Sequence, residues 1–354
     1  MKEKIAIGFV SPFNPFTDRR AWSGTIFKIR EAIENAGFEV NWIPYHSKTP
    51  LLSCYEWILK LRQRITGRRT FRSVHNPTMV RLYAETIDMS LVNQCDYLFF
   101  PGGAQISLFL KNKKPVIYLA DATVHQMIGY YWNGFSNSSI RKAKLLEERA
   151  VKNSCINIRS SLWAQKSTVD DCGADAKKCF VLEFGANLDM AAVKTATPYS
   201  GGELRLLFSG IDWYRKGGNT AIETVSQLRE KGINATLTVV GPKRIPTEYK
   251  GHDFIHYLVF LDKNKPEEYA AYLKVWEDSH ALLLPTRAEC SAIVFSEAAV
   301  FGIPCYTTST GGVPNYVIND KNGYAFSVNS TPSEIADKIE HDIRNHMFEQ
   351  YHNN

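Results

Sequence analysis

The chain has 354 residues, 44% of them hydrophobic, and a formal net charge of +6. That length exceeds one typical core, so two domains are expected, and no stretch approaches the ~20 apolar residues of a membrane span. No secretory signal is visible, the seven cysteines are scattered singly without a C-x-x-C pair, and the modest positive charge allows an anionic ligand or membrane surface without calling for nucleic acid; a cytoplasmic protein with reduced thiols is the expectation.

Residues 4–10 (KIAIGFV) read as a first buried strand, followed by the loop SPFNPFTDRRAWSGT, a helix over 26–36 and a second strand over 38–45. This opening lacks G-x-G-x-x-G, which argues against a dinucleotide. Ser23-Gly24 stands at the helix start, where glycine allows close backbone approach to a ligand; an ordinary N-cap serine is the alternative. Residues 55–72 interleave Trp57, Ile58, Leu61 and Ile65 with six basic residues. Such a segment either lies on an anionic membrane or packs its apolar stripe on its own domain. Strands are expected over 96–100 and 115–120, the second running into Asp121 and, four residues on, His125. A charged helix over 142–152, a strand over 155–159, a helix from Ser160 and the strand-like VLEFGANLD complete the first half.

The pattern then restarts. Residues 204–209 read as a strand, followed by GIDWYRKGG, a helix over 219–231 and the strand ATLTVVG. A loop of this kind, opened by Gly210 and closed by Arg215 and Lys216, can grip a pyrophosphate through charge-assisted hydrogen bonds. A strand region follows over 254–261, and His252 and His256 lack the H-E-x-x-H order of a metal site. The apolar run 281–285 ends in proline and leads through TRAECS into a buried helix stopped by Gly302, with Pro304 beyond and a strand at CYTTS. Glu289 falls in the loop and Glu297 inside the helix, while Ser291, Ala292 and Ile293 sit at the helix start, an anion site by virtue of its unpaired N–H groups and dipole. Two carboxylates near such a start can address different parts of one ligand: a ribose and whatever hangs from the phosphates. Thr331-Pro-Ser-Glu334 reads as a capping box opening the terminal helix.

PTRAE, the E-x7-E pair Glu289 and Glu297, EAAVFGIP and TGGVPNYV together resemble the donor-binding signature of family 4 retaining glycosyltransferases of the GT-B fold. The resemblance implies an α/β architecture of two Rossmann-like domains facing across a cleft: an acceptor-side domain over 1–187, with residues 340–354 packing back on it, and a donor domain over 188–339. In such enzymes a glycine in the first loop lies near the donor phosphates, Glu289 holds sugar hydroxyls, Glu297 holds the ribose, and many members carry a histidine just after the strand that here ends at Asp121. Asp121 and His125 are therefore both candidates for the acceptor-side catalytic group. No D-x-D occurs, so neither a metal nor another cofactor is expected.

The function implied is transfer of a hexose from a nucleotide-diphosphate sugar, UDP- or GDP-linked, to an acceptor hydroxyl with retention. The acceptor would be a glycan, glycolipid or glycoprotein. A nucleotide-sugar epimerase of the same fold and a non-catalytic nucleotide-sugar binder are the alternatives. If segment 55–72 meets lipid, the protein is peripheral at the inner membrane face.

Overall fold

The computed structural model describes residues 4–353 apart from Ser47, Asn112 and Ala292. The chain divides into two compact units, 1–182 and 183–354. In the first, β1 (Ala6–Val10), β2 (Glu39–Ile43), β3 (Tyr97–Pro101), β4 (Val116–Ala120), β5 (Ile156–Arg159) and β6 (Cys179–Val181) form one parallel sheet in the order β2-β1-β3-β4-β5-β6. In the second, β7 (Leu204–Ser209), β8 (Ala235–Val240), β9 (Ile255–Leu258), β10 (Ala281–Leu284), β11 (Cys305–Thr308) and β12 (Gly323–Phe326) form another, in the order β12-β11-β10-β7-β8-β9. Parallel strands need crossover connections, and helices cover their faces, which is why the central strands are continuous apolar runs. All four residues of β10, ALLL, are buried.

The strand orders locate the ligand crevices. In an open parallel sheet the chain leaves the first strand towards one edge and later returns to its other side, opening a gap at the carboxyl ends of the two strands where the direction reverses. That point lies between β1 and β3 in the first unit and between β7 and β10 in the second.

Two helices end the second unit. Thr331 and Glu334 make both capping-box bonds, at 3.3 and 2.6 Å, and start the helix Pro332–Arg344. The last helix, Met347–His352, is anchored within the same unit. It buries Phe348 against Tyr306, ring centroids 6.2 Å apart, and sends the Tyr351 hydroxyl to Asp342 at 3.1 Å. Asp342 is fully buried and also accepts from Tyr306 and Lys338, a carboxylate whose pairing ties the chain terminus to β11. The division falls at 182/183, earlier than residue 187, because VLEFGANLD is no strand beyond Val181. The Phe184 carbonyl instead accepts from Ser296, the Phe184 N–H donates to Tyr316, and Asn315 bonds Glu183, all within the second unit.

Candidate functional site

In the second unit β7 ends at Ser209 and the chain turns through Gly210 to Gly217 before the helix Gly218–Glu230. Gly217 has a φ of +78°, and a Cβ there would stand 2.0 Å from the Pro285 carbonyl oxygen. Only glycine fits such a left-handed, crowded position, so this residue sets the basic loop directly against the end of β10. The loops are then laced together. The Arg287 N–H donates to the Arg215 carbonyl at 2.8 Å, and the Arg215 guanidinium donates to the Ala288 carbonyl at 2.9 Å. Gly312 of the TGG turn pins the Glu289 carbonyl at 3.1 Å.

These connections bring Arg215, Lys216 and Glu289 together at the switch point. Lys216 Nζ donates to Glu289 Oε2, and Arg215 Nη1 lies 3.3 Å from the same oxygen. Lys216 is 8% and Glu289 6% exposed. Arg215 Nε also lies 3.6 Å from Asp212, so the cluster pairs two cations with two carboxylates; its guanidinium and ammonium are donors of the kind that make charge-assisted hydrogen bonds to a phosphate. Beside them starts the helix Ile293–Phe301, and the Ser291 hydroxyl just before it is buried without a hydrogen-bond partner. Ala292 lies outside the described residues. A buried hydroxyl without a partner is costly unless something fills the site, so Ser291 and the backbone at Ile293 fit an anion there.

Glu297, one turn into that helix and 3% exposed, is neither solvated nor idle. Its Oε1 accepts from Lys263 and its Oε2 from the Tyr272 hydroxyl, each at 2.6 Å. A carboxylate offers about four lone-pair positions, so two remain for a vicinal diol. Lys263, in the loop after β9, was invisible to pattern reading because DKNK looks like any solvated turn.

The first unit has a cavity of about 330 Å³ at its own switch point, lined at the strand ends by Ser11, Gly102, Gly103 and Asp121. Trp22, Tyr118 and Trp132 supply aromatic walls. Ser23 is not an N-cap: Gly24 holds that position with no side-chain cap bond, and Trp22, Ser23 and Gly24 have φ of 50°, 56° and 92°. Three successive left-handed residues, two of them not glycine, are strain that persists where the fold enforces it and often marks a ligand loop.

Asp121 lines this cavity, whereas His125 does not. His125 belongs to the short helix Val124–Met127, with Nε2 3.6 Å from Glu148 and Nδ1 3.8 Å from the Cys172 thiol. Burial lowers its pKa. His125 thus stands outside the lining of this cavity, in contact with Glu148 and Cys172. His125, Glu147 and Cys172 place their ligand-type atoms within 4.8 Å of one another, the one such set among the described residues, and it lies in the first unit, away from Arg215, Lys216 and Glu289 in the second. Burial pushes the Cys172 thiol far up.

Two cavity groups escaped the sequence reading. His75 Nδ1 is buried without a partner, and burial lowers the imidazole pKa to about 4. Glu147, on the charged helix Asn137–Asn153, is fully buried, accepts from the Val124 N–H at 2.5 Å, and is pushed up to about 7 by its burial. Burial displaces both from the range of their free side chains, His75 downward and Glu147 upward, a property common at functional sites.

Residues 193–353, most of the second unit, match the family model for glycosyl transferases group 1. Over 139 residues the chain is 29% identical to the glycogen synthase of Mycobacterium tuberculosis, a match covering 38% of this chain and 32% of that enzyme. The chain thus spans about a third of the length of the curated relatives it matches. Among solved structures, sucrose-phosphate synthase from Thermosynechococcus elongatus superposes with a TM-score of 0.69 at 14% identity, covering 99% of this chain and 92% of that one. Anabaena HepE in complex with UDP and glucose gives 0.62 at 14%, covering 98% and 92%. WaaG, a glycosyltransferase involved in lipopolysaccharide biosynthesis, gives 0.58 at 16%, also covering 98% and 92%. The fold is the GT-B glycosyltransferase fold, with a group 1 glycosyl transferase match on its second unit.

Proposed function

We propose that the protein transfers a hexose from a nucleoside diphosphate sugar to an acceptor hydroxyl with retention at the anomeric carbon. The observation that carries the reading is the Arg215–Lys216–Glu289 cluster at the switch point of the second unit, beside a helix start with an unpartnered buried serine. When the bond between the anomeric carbon and the β-phosphate oxygen breaks, the electron pair stays on that oxygen. Arg215, Lys216 and the helix N–H groups stabilise the charge, the kind of preorganised electrostatics that dominates transfer chemistry. The acceptor oxygen bonds the anomeric carbon and leaves its proton with the departing diphosphate, on the face the leaving group vacates. Glu289 orients the sugar and Glu297 the ribose. The donor grip works without metal, since its counter-charges are side chains and backbone.

UDP-glucose is the first donor to test, because HepE, a structure of the same fold, holds UDP and glucose. Asp121 in the cavity of the first unit is the acceptor-side group, at the carboxyl ends of the strands where an acceptor would enter. The acceptor is a glycan or glycolipid reached at the inner face of a membrane. Supporting this, the helix Pro50–Thr66 turns Leu51, Trp57, Ile58, Leu61 and Ile65 outward, 68, 62, 48, 41 and 76% exposed, and buries only Leu52 and Leu59. The stripe does not pack on its own domain, and Lys60, Arg62, Arg64, Arg68, Arg69 and Arg72 flank it. Among the described residues no helix is long and apolar enough to cross a membrane.

The test is incubation with UDP-glucose and a membrane extract, with the anomeric configuration of the product read by proton coupling. Inverted product would overturn retention. An altered sugar from donor alone would mark an epimerase, and no release of UDP under any condition a binder.

A further inference from the structure

A second cavity, of about 210 Å³, lies under the exposed helix Pro50–Thr66. Its walls come from that helix through Arg62, from the start of Pro77–Ala84 through Thr78, and from the start of Asn137–Asn153 through Ser138 and Lys142. No carboxylate lines it. Among the described residues neither Arg62 nor Lys142 has an acidic partner within ion-pair distance, whereas Lys60 on the same helix lies 3.8 Å from Glu56. The caps of the two helix starts are already satisfied, Asn76 by the N–H groups of Thr78 and Met79 and Ser136 by that of Ser139. What remains unspent is therefore side-chain donors: the guanidinium, the ammonium and the hydroxyls of Thr78 and Ser138. His75, whose Nδ1 is buried without a partner, lines this cavity and the larger one alike.

We propose that this cavity binds the phosphate of the acceptor, while the acceptor's hydroxyl-bearing end enters the larger cavity on the other side of His75. The chemistry is that of a phosphate ester: a compact anion, taken by an arginine fork and a lysine point charge with hydroxyl donors around it. Size agrees, because about 210 Å³ accommodates a phosphate with its first substituent. The outward apolar stripe of the same helix gives such an ester a lipid surface to be drawn from. A soluble sugar phosphate presents the same group, so the site is defined by the phosphate and the two sources are separated by experiment. The acceptor role rests on the glycosyl-transfer reading; phosphate binding does not.

The full chain is titrated by calorimetry with glycerol 3-phosphate, with vesicles of phosphatidylglycerol in phosphatidylcholine, and with UDP. The double variant Arg62→Gln, Lys142→Gln, both positions being exposed side chains, should weaken glycerol phosphate binding about 10- to 100-fold and leave UDP binding unchanged. Trp57→Ser with Ile65→Ser should lower vesicle binding and leave glycerol phosphate binding intact, which assigns the source to lipid; wild type that binds the soluble ester and ignores the vesicles assigns it to a soluble phosphate. Equal affinity of wild type and the double variant for glycerol phosphate, or no binding of it by wild type, overturns the site. UDP binding lost in the double variant points to misfolding, and Lys142→Gln alone then replaces it, with about tenfold weakening expected and an unchanged affinity overturning the proposal. Glycerol phosphate bound in a protein that transfers no sugar keeps the site and removes the glycosyl-transfer reading.

Discussion

Replacing Glu289 by alanine removes the anion that pairs with Lys216 and that shares Arg215 with Asp212 in the free protein. Lys216 is only 8% exposed, so the variant keeps a buried ammonium whose partner is gone. Breaking a buried pair from one side costs roughly 3–5 kcal/mol, a large share of the ~5–15 kcal/mol that holds a domain together. Urea unfolding of the second unit should therefore shift to markedly lower midpoint in Glu289→Ala and in Lys216→Ala, and by less than the sum in the double variant, since each single change already abolishes the same pair. Ligand binding should split the two. A nucleoside diphosphate brings an anion to the cations that Glu289 no longer occupies, so Glu289→Ala should bind bare UDP at least as tightly as wild type. Lys216→Ala loses a charge-assisted hydrogen bond to the diphosphate, about 1.5–3 kcal/mol, and should bind UDP roughly 10- to 100-fold more weakly. Both should turn over UDP-glucose slowly, the first because the sugar is mispositioned and the second because the leaving group is less stabilised. Calorimetry with UDP beside initial rates with the sugar donor reads the split. Loss of UDP affinity in Glu289→Ala to the same degree as in Lys216→Ala would refute the assignment of Glu289 to the sugar.

Glu297→Ala should weaken UDP and UDP-glucose by one common factor of about 10 to 100, because the ribose diol belongs to both; unequal factors would move Glu297 to the sugar. UDP affinity of the full chain should be the same in EDTA and in Mg²⁺, and a tightening on adding Mg²⁺ would show that the diphosphate needs a metal clamp. Replacing Arg68, Arg69 and Arg72 by serine should lower co-sedimentation with phosphatidylglycerol vesicles, each basic residue contributing ~1 kcal/mol near such a surface. Burial lowers His75 and His280 to about 4, below the value of an unfolded histidine. The unfolded chain then takes up protons first as pH falls, so the stability from these two rings is full above about 6.5 and is lost as pH drops towards 4. Glu147, raised to about 7, works in the opposite sense: its protonated folded form is favoured at low pH, and its contribution is lost as pH rises from about 4.5 through 7. Histidine ring resonances followed by NMR should stay unshifted for His75 and His280 between pH 7 and 5; a ring titrating near 6.5 would contradict its burial.

What the sequence made legible follows from what parallel sheets require of it. Buried central strands are apolar runs and their crossover helices begin at small or capping residues, so β7, β8, β10 and the loops after them could be placed to within a residue or two. The Glu289 and Glu297 spacing was readable for the same reason, being anchored between a strand and a glycine-stopped helix. Pairing was not readable. Nothing in DKNK distinguishes Lys263, which bonds Glu297, from Lys265, which bonds Glu268 on the surface. Nothing in LLEERA says that Glu147 is buried while Glu148 beside it is not. His75 shows the limit most clearly: it lines the cavity of the first unit from a segment with no strand beside it, so no strand end pointed to it. For the helix Pro50–Thr66 the residues alone left open whether the stripe of Trp57, Ile58, Leu61 and Ile65 meets a membrane or packs on its own domain. In the fold those four are exposed, while Leu52 and Leu59 are buried. An outward apolar stripe ringed with arginines is the kind of surface that marks an interaction site, which is why vesicle binding is the measurement that decides between the two readings of this helix.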